Sequence, residues 1–332
     1  MPSFTSLEIC AGAGGQAIGI ENAGYEHVAL VEIDSHACAT LRQNRPEWEV
    51  FELDVRAFSG EDYAGKIDLL SGGVPCPPFS IAGKQLGEYD DRDLFPEAIR
   101  LTKEIDPKAV MLENVKGILS SKFEEYRMSI VRAFNDMDYE VFWRILNASD
   151  YGVPQLRPRA VLVAIKREYS PFFQWPDKHP QASPTVGDAL APLMGSMGWE
   201  GLTDWVKKAN KIAPTLVGGS KKHGGPDLGP TRARKAWAEM GVNGKSLANT
   251  PPEKGFEGMP RLTTEMAAVL QGFPEDWIFT GGKTAAYRQV GNAFPPPVAE
   301  AVATAINHAL QKRELENSSQ PSPIQEAWTL FS

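Results

Sequence analysis

One cysteine of this chain sits among prolines, in "GGVPCPPFS" (Gly72–Ser80). Proline at 75, 77 and 78 removes backbone donors and fixes φ, so the loop can neither continue a strand nor begin a helix before Phe79. The apolar run "KIDLLSGG" ahead of it reads as a buried strand opening into a loop. A thiol held on a stiff loop at a strand's carboxyl end is placed as a nucleophile is in an α/β enzyme. The competing reading of Cys76 is a small buried apolar residue. "LENVKG" (Leu112–Gly117) puts Glu113 at the end of another strand, next to the cysteine strand in a doubly wound sheet. A buried carboxyl with a raised pKa can supply a proton near neutral pH while the thiol attacks. "QLRPRAVLVAI" adds Arg157 and Arg159 just before a strand. Alternate residues there share a face, so both guanidiniums could address one polar ligand.

A second group of residues suits a nucleoside-containing cofactor. "AGAGGQA" (Ala11–Ala17) fits G-x-G-x-x-A after a first strand, a turn whose backbone approaches a ligand closely at a helix N-terminus. Glu32 ends the next strand, where a carboxylate can accept from ribose hydroxyls, and Asp54 ends the third, where it could take an adenine amino group. These elements serve a nicotinamide dinucleotide and S-adenosylmethionine alike.

The elements that must position these groups are legible from the spacing of apolar runs. "SLEICAG", "HVALVEID", "VFELDV", "IDLLSGG" and "AVMLENV" read as strands; "GGQAIGIENAG", "SHACATLRQNRP" and "DLFPEAIRLTKEI" read as helices between them. That alternation predicts an α/β fold with a doubly wound, mostly parallel sheet. "EVFWRIL" and "RAVLVAIK" are separated by a Gly- and Pro-containing stretch with no room for a crossover helix, which predicts an antiparallel pair. After about residue 175 the chain becomes rich in Gly, Pro and Lys, as a smaller irregular module would be. Helical periodicity returns in "TTEMAAVLQGFP" and "PPPVAEAVATAINHALQKR".

Composition bounds the function. The 332 residues suffice for about two domains, and 42% hydrophobic with 23% charged residues is ordinary for a globular chain. Cys10, Cys38 and Cys76 form no C-x-x-C and the five histidines show no ligand spacing, so neither a disulfide framework nor a metal is expected. No run of about 18 apolar residues is present and the first residues lack a basic segment followed by an apolar one, which predicts a cytoplasmic protein with no membrane partner. The net charge of −8 argues against nucleic acid, but residues 201–260 hold ten lysines and arginines against five acids. An acidic body with a basic segment is the footprint of a local polyanion site.

Taken in order, "EICAGAGG", "VEID", "PCPPFS", "ENV", "QLRPR", a variable segment, "RLTTEMAAVLQGFP" and "YRQVGNAFPPPVA" make the chain resemble the DNA cytosine-5 methyltransferases of the bacterial modification type over nearly its whole length. The resemblance implies an S-adenosylmethionine-dependent, Rossmann-like catalytic domain and methyl transfer from S-adenosyl-L-methionine to carbon 5 of a cytosine in a specific duplex DNA sequence. It implies that Cys76 attacks carbon 6 of a flipped base, that Glu113 protonates or hydrogen-bonds ring nitrogen 3, and that Arg159, supported by Arg157, contacts the base. Cys10, Ala11, Gly12, Ala13, Gly14 and Gly15 would carry the methionine part of the cofactor and Glu32 its ribose. Ile33, Asp54, Val55, Pro75 and Leu94 would surround the adenine side, with Asn292 and Ala293 completing the pocket. Cys10 and Ile33 depart from the family's usual Phe and Trp, which lessens contact with the cofactor. Residues 1–180 and 261–315 are expected to form the catalytic domain, 181–260 the target-recognition domain and 316–332 a flexible tail.

DNA contact is expected from Ser80 and from Lys221, Lys222, Arg232, Arg234 and Lys235. A restriction-modification setting admits a cognate endonuclease without direct contact, and a monomer suffices for the reaction. An oxidoreductase leaves Cys76, Glu113 and the arginines unexplained. A catalytically silent homologue is expected to have lost one of Cys76, Glu113 or Asn292. A tRNA cytosine-5 methyltransferase of the same superfamily is the nearest alternative; the long basic insert favours duplex DNA.

Overall fold

The computed structural model describes residues 4–75, 93–218 and 225–319. Its first half alternates as the apolar runs predict: β1 (Phe4–Ile9), α1 (Gly15–Asn22), β2 (Tyr25–Glu32), α2 (Ser35–Asn44), β3 (Val50–Glu52), β4 (Leu69–Gly72), α3 (Phe95–Ile105) and β5 (Ala109–Val115). α4 (Glu124–Asn135), absent from the sequence reading, leads to β6 (Tyr139–Asn147), the short β7 (Gln155–Leu156) and β8 (Pro158–Lys166). Seven of these strands form one sheet in the order β3-β2-β1-β4-β5-β8-β6. β1 pairs in parallel with β2 and β4, β2 with β3, and β4 with β5. β8 runs antiparallel to both β5 and β6, so the expected antiparallel pair is present, in register from Tyr139↔Lys166 to Asn147↔Pro158. The strand order reverses beside β1, between β2 and β4. In open α/β sheets, ligands occupy the crevice outside the carboxyl ends at such a switch point.

The insert that follows is irregular along much of its length but holds α5 (Val186–Gly195), α6 (Leu202–Lys208), the short β9 (Ala213–Pro214) and α7 (Thr231–Glu239). Helices of seven to ten residues are too short to persist alone, so burial holds them. Trp205 of α6 and Trp237 of α7 are buried with Leu190 and Met194 of α5 in a cluster that continues into Leu262, Met266 and Leu270. Pro192 interrupts the pattern of α5, yet its start carries a capping box between Thr185 and Asp188. β9 adds to β7 as a separate parallel pair. α8 (Thr264–Gln271), α9 (Lys283–Asn292) and α10 (Pro296–Ser319) complete the chain. α10 runs past residue 315, where a tail was expected; residues 320–332 lie outside the described residues. Among the described residues no helix is long and apolar enough to cross a membrane.

Side chains alternate across the sheet, and the two faces have separate cores. Leu7, Ile9, Leu70 and Leu112 pack on one face with Phe95 and Leu101 of α3 and Phe134 of α4. Phe4, Leu69, Met111 and Val163 pack on the other with Ile20 of α1 and Val298, Val302 and Ile306 of α10. Helices α1 and α10 approach closely at Gly19, where a Cβ would lie 2.4 Å from the Pro296 carbonyl oxygen and 2.5 Å from the Glu300 amide nitrogen. Backbone atoms cannot step aside as a side chain can. Gly19→Val is therefore expected to destabilise the fold by about 1–3 kcal/mol or more, lowering the midpoint of thermal unfolding followed by circular dichroism. An unchanged midpoint would mean that this contact is loose.

Candidate active site

The carboxyl ends of β1, β2, β4 and β5 open onto a cleft of about 620 Å³, closed on its far side by the end of α9. Cys10, Ala11, Gly12, Ala13, Gly15, Glu32, Ile33, Asp54, Val55, Pro75, Leu94, Asn292 and Ala293 border it, and so does Glu113. Gly14 does not. Its φ of 89° starts α1, and a Cβ there would lie 2.9 Å from both Leu41 and Trp277. Its neighbour Gly15 gives the C-terminal wall room to close, since a Cβ would meet the Phe294 carbonyl oxygen at 2.3 Å. The Trp277 indole N–H donates to the Ala13 carbonyl at 3.1 Å and fixes the turn from behind.

Glu32 holds this turn as well as facing the cleft. One carboxylate oxygen accepts from the Gly12 amide at 2.7 Å; the other accepts from the amides of Ile33 at 2.8 Å and Asp34 at 2.7 Å. Carboxylate oxygens accept more than one hydrogen bond, so capacity remains for a ligand hydroxyl. Asp54 accepts from the Arg56 amide at 3.0 Å and pairs with the Arg56 guanidinium at 2.9 Å. Asp34 caps α2 and faces Arg288 at 3.6 Å. Ile33 is 65% exposed, an apolar surface that a flat ring could cover.

Two of the three cysteines are unsuited to attack. Burial pushes the Cys10 thiol far up, and the charges of Glu32 and Glu8 push it further. Cys38 is pushed up to about 12 by burial and by Glu32, whose carbonyl accepts from its sulfur at 3.3 Å. The thiolate is the nucleophilic form, so both are inert near neutral pH. Cys76 follows Pro75 in the chain and lies outside the described residues, as do Ser80, Lys221 and Lys222.

Glu113 and Arg159 form a pair, Oε1 to Nε at 2.6 Å, with both side chains largely buried. The register of β5 against β8 sets it: Val115 lies opposite Arg159, and Glu113, two residues back, projects from the same face. The second Glu113 oxygen lies on the Gly73 side, 3.6 Å from where a Cβ of that residue would be. Asn114, overlooked in the sequence reading, donates from its amide to the Val74 carbonyl at 2.7 Å and ties the end of β5 to the loop leading to Cys76. On α7, Arg232 and Lys235 are three apart and share a face, whereas Arg234 lies about 200° round from Arg232. Arg232 is exposed; Arg234 is half-buried and donates to Thr231 at 3.5 Å.

Comparison with known proteins agrees with this arrangement. The family model for the C-5 cytosine-specific DNA methylases matches residues 4–308. The chain is 57% identical over 312 residues to the Type II methyltransferase M.NgoMIV of Neisseria gonorrhoeae, covering 93% of this chain and 99% of that one. It is 54% identical over 316 residues to the Type II methyltransferase M.NaeI of Lentzea aerocolonigenes, covering 93% and 76%. Among solved structures, a DNMT2 variant of Spodoptera frugiperda aligns with a TM-score of 0.64 at 17% identity, covering 92% of this chain and all of that one, a likeness of fold.

Arg157 departs from the expectation that it shares a ligand with Arg159. It is fully buried, and its guanidinium donates to the carbonyls of Leu216 at 2.7 Å, Gly291 at 2.8 Å and Ala293 at 2.9 Å. Strand alternation does not extend across the break between β7 and β8, so the two arginines turn apart. Burial and the charge of Arg159 disfavour its charged form, and the carbonyl dipoles offset that cost. Arg157 thus positions the wall of the cleft from behind. Arg157→Met should leave the Leu216 and Gly291 carbonyls without this donor, at about 1–3 kcal/mol each. Urea denaturation checks this; wild-type stability in the variant would show that the guanidinium does not hold the junction.

Proposed function

The chain belongs to the C-5 cytosine-specific DNA methylases, and from that membership we propose that it is a Type II modification enzyme. In this reading it methylates carbon 5 of one cytosine within a specific duplex sequence. The observation that carries the reading is the single cleft bordered both by the glycine turn with Glu32 and by Glu113, whose partner is Arg159.

The cleft suits S-adenosylmethionine. The turn presents backbone rather than side chains at the start of α1, Glu32 faces it with acceptor capacity to spare, and Ile33 offers an apolar face. Deeper in, the Gln16 amide oxygen is buried without a hydrogen-bond partner among the described residues, as an acceptor awaiting a polar ligand group is. When bound, the cofactor supplies an electrophilic methyl group on a sulfonium.

The protein's own groups make cytosine reactive toward it. Carbon 5 of the ring is too electron-poor to attack unaided. The Cys76 thiolate adds to carbon 6 while Glu113 hydrogen-bonds or protonates nitrogen 3, which leaves carbon 5 enamine-like and nucleophilic. Arg159 holds the Glu113 carboxyl in place and presents further donors to the base. After transfer, loss of the carbon 5 proton expels Cys76. Because the reacting atoms are inaccessible within a stacked duplex, the base is extruded into the cleft. Residues 181–260 act as the recognition domain, with residues 1–180 and 261–315 as the catalytic body; the family model and the curated relatives favour DNA over tRNA as substrate.

Duplex DNA carrying 5-fluorocytosine at the target should trap the enzyme covalently, because fluorine cannot leave as a proton does. Cys76→Ser should abolish the adduct and lower methyl transfer by orders of magnitude with cofactor binding retained. An adduct mapped to Cys10 or Cys38 would overturn the assignment. On the recognition side, Arg232→Ala or Arg234→Ala should cost about 1–3 kcal/mol on the cognate duplex only. Lys235→Ala should weaken all duplexes alike and flatten the salt dependence by about one unit. Affinities for cognate and scrambled duplexes at several salt concentrations distinguish the two, and unchanged affinity and sequence preference in all three variants would place recognition elsewhere.

A further inference from the structure

Cys76 follows Pro75 directly in the chain, and the described residues resume at Asp93. The two ends of this segment meet. The Leu94 amide donates to the Pro75 carbonyl at 3.3 Å. One residue before Pro75, the Val74 carbonyl accepts from the Asn114 side chain at 2.7 Å. Both carbonyls that precede Cys76 are thus tied, and the ring of Pro75 fixes its φ. The Asn114 tie refers the segment to β5, beside Glu113. The other tie refers it to Leu94, so the place of Cys76 depends on what holds the Leu94 amide.

Asp93, the residue before Leu94, is an acid only 8% exposed. One carboxylate oxygen accepts from the Phe95 amide at 3.1 Å. The other accepts from the Tyr126 hydroxyl of α4 at 2.5 Å. The bond to Phe95 is a capping contact: the first amides of α3 have no acceptor within the helix, and a carboxylate there also suits the helix dipole. Capping does not call for Tyr126, which belongs to a different element. Its ring lies edge-on to Phe95 and Phe123, with centroids 6.0 Å and 6.4 Å away. α4 is in turn anchored through Ile130 and Phe134 in the core that also holds Phe95. The Asp93 carboxylate is therefore clamped between α3 and α4, on a base that cannot shift without unpacking that core.

Attack on carbon 6 is sensitive to small displacements. Reacting atoms must approach to about 3–3.5 Å, and a misplacement of about 1 Å can cost about 10²-fold in rate. Resting on the reading of Cys76 as the nucleophile, we propose that Tyr126 and Asp93 are positioning residues for it. The hydroxyl orients the carboxylate, the carboxylate fixes the chain entering α3, and the Leu94 amide there holds the Pro75 carbonyl. With Asn114 on the other side, the backbone bearing Cys76 is set against Glu113 from two elements. Neither Tyr126 nor Asp93 borders the cleft, so they act through Pro75 and not on the base or the cofactor.

Single-turnover capture by duplex DNA carrying 5-fluorocytosine, with saturating S-adenosylmethionine, tests this, because each capture event requires addition by Cys76. Tyr126→Phe removes the hydroxyl and keeps both the ring packing and the Phe95 cap. Its adduct should form roughly ten- to a hundredfold more slowly than that of wild type. Its kcat should fall in parallel, while the KM for DNA, the affinity for S-adenosylhomocysteine and the midpoint of thermal unfolding stay near wild type. Asp93→Asn, whose side chain can accept from Phe95 and donate to the Tyr126 hydroxyl, should retain a faster adduct rate than Asp93→Ala. A wild-type adduct rate in Tyr126→Phe overturns the positioning role and leaves the methyltransferase reading standing. So does a slower rate matched by a comparable loss of DNA or cofactor affinity, or by a lowered unfolding midpoint, the mark of a merely structural residue. Equal adduct rates in Asp93→Asn and Asp93→Ala overturn it as well, and this comparison serves even if Tyr126→Phe fails to fold. No adduct with the folded wild type overturns instead the reading of Cys76 as the nucleophile.

Discussion

The cleft depends on a junction that chain order does not supply: Asn292 and Ala293 must lie against a turn formed by residues 10–15. The buried guanidinium of Arg157 makes that junction, bonding at once to Leu216 in the insert and to Gly291 and Ala293 at the end of α9. Gln155 and Gln271 extend it. The Gln155 oxygen accepts from the Leu216 amide at 2.9 Å, its nitrogen donates to Gln271 at 2.6 Å, and Gln271 donates to the Ala293 carbonyl at 2.5 Å. Within this buried network the Arg157 Nε–H has no partner among the described residues, whereas both terminal nitrogens of the guanidinium donate to carbonyls. The network makes the position of the cleft wall a consequence of how the insert is docked.

Within the sheet, a second constraint acts through alternation. Glu8 and Ser71 are register partners on β1 and β4, Ser71 is opposite Met111, and Glu113 is two residues beyond Met111 on β5. All project from one face, toward α1. Polar groups placed there enter the same cleft, whereas Leu7, Ile9, Leu70 and Leu112 build the opposite core. The result is a site rich in carboxylates, each answered differently: by amides at Glu32, by guanidinium at Glu113 and Asp54, and by burial beside the Ser71 hydroxyl at Glu8. An acidic cleft of this kind is suited to a cationic cofactor.

The insert shows how a basic segment is attached to an acidic body. Its helices are short, and its tryptophans bury into a cluster shared with α8 and, through Trp277, with the face of α2 that carries Leu41. Docking therefore leaves the charged side chains of α7 outward, with Arg232 and Lys235 exposed and Trp237 inward. The exposed basic side chains are carried on a scaffold whose apolar side is continuous with α8 and α2.

Much of this was legible in the sequence because it is local. Apolar runs of strand length, the glycines after β1 and the prolines around Cys76 act through the conformations of a few adjacent residues. They sufficed for the succession of strands along the chain and for the antiparallel β6–β8 pair. α4 and the helices of the insert escaped that reading because burial against other elements holds them: Ile130 and Phe134 of α4 in the core of one sheet face, and Trp205 and Trp237 of the insert in a cluster shared with α8. The same physical reason separates the two arginines of "QLRPR". Their types and spacing announced a polar role, but each hydrogen bond is set by groups far along the chain. Only the packed tertiary structure decided that Arg159 meets Glu113 and that Arg157 meets Leu216 and Gly291.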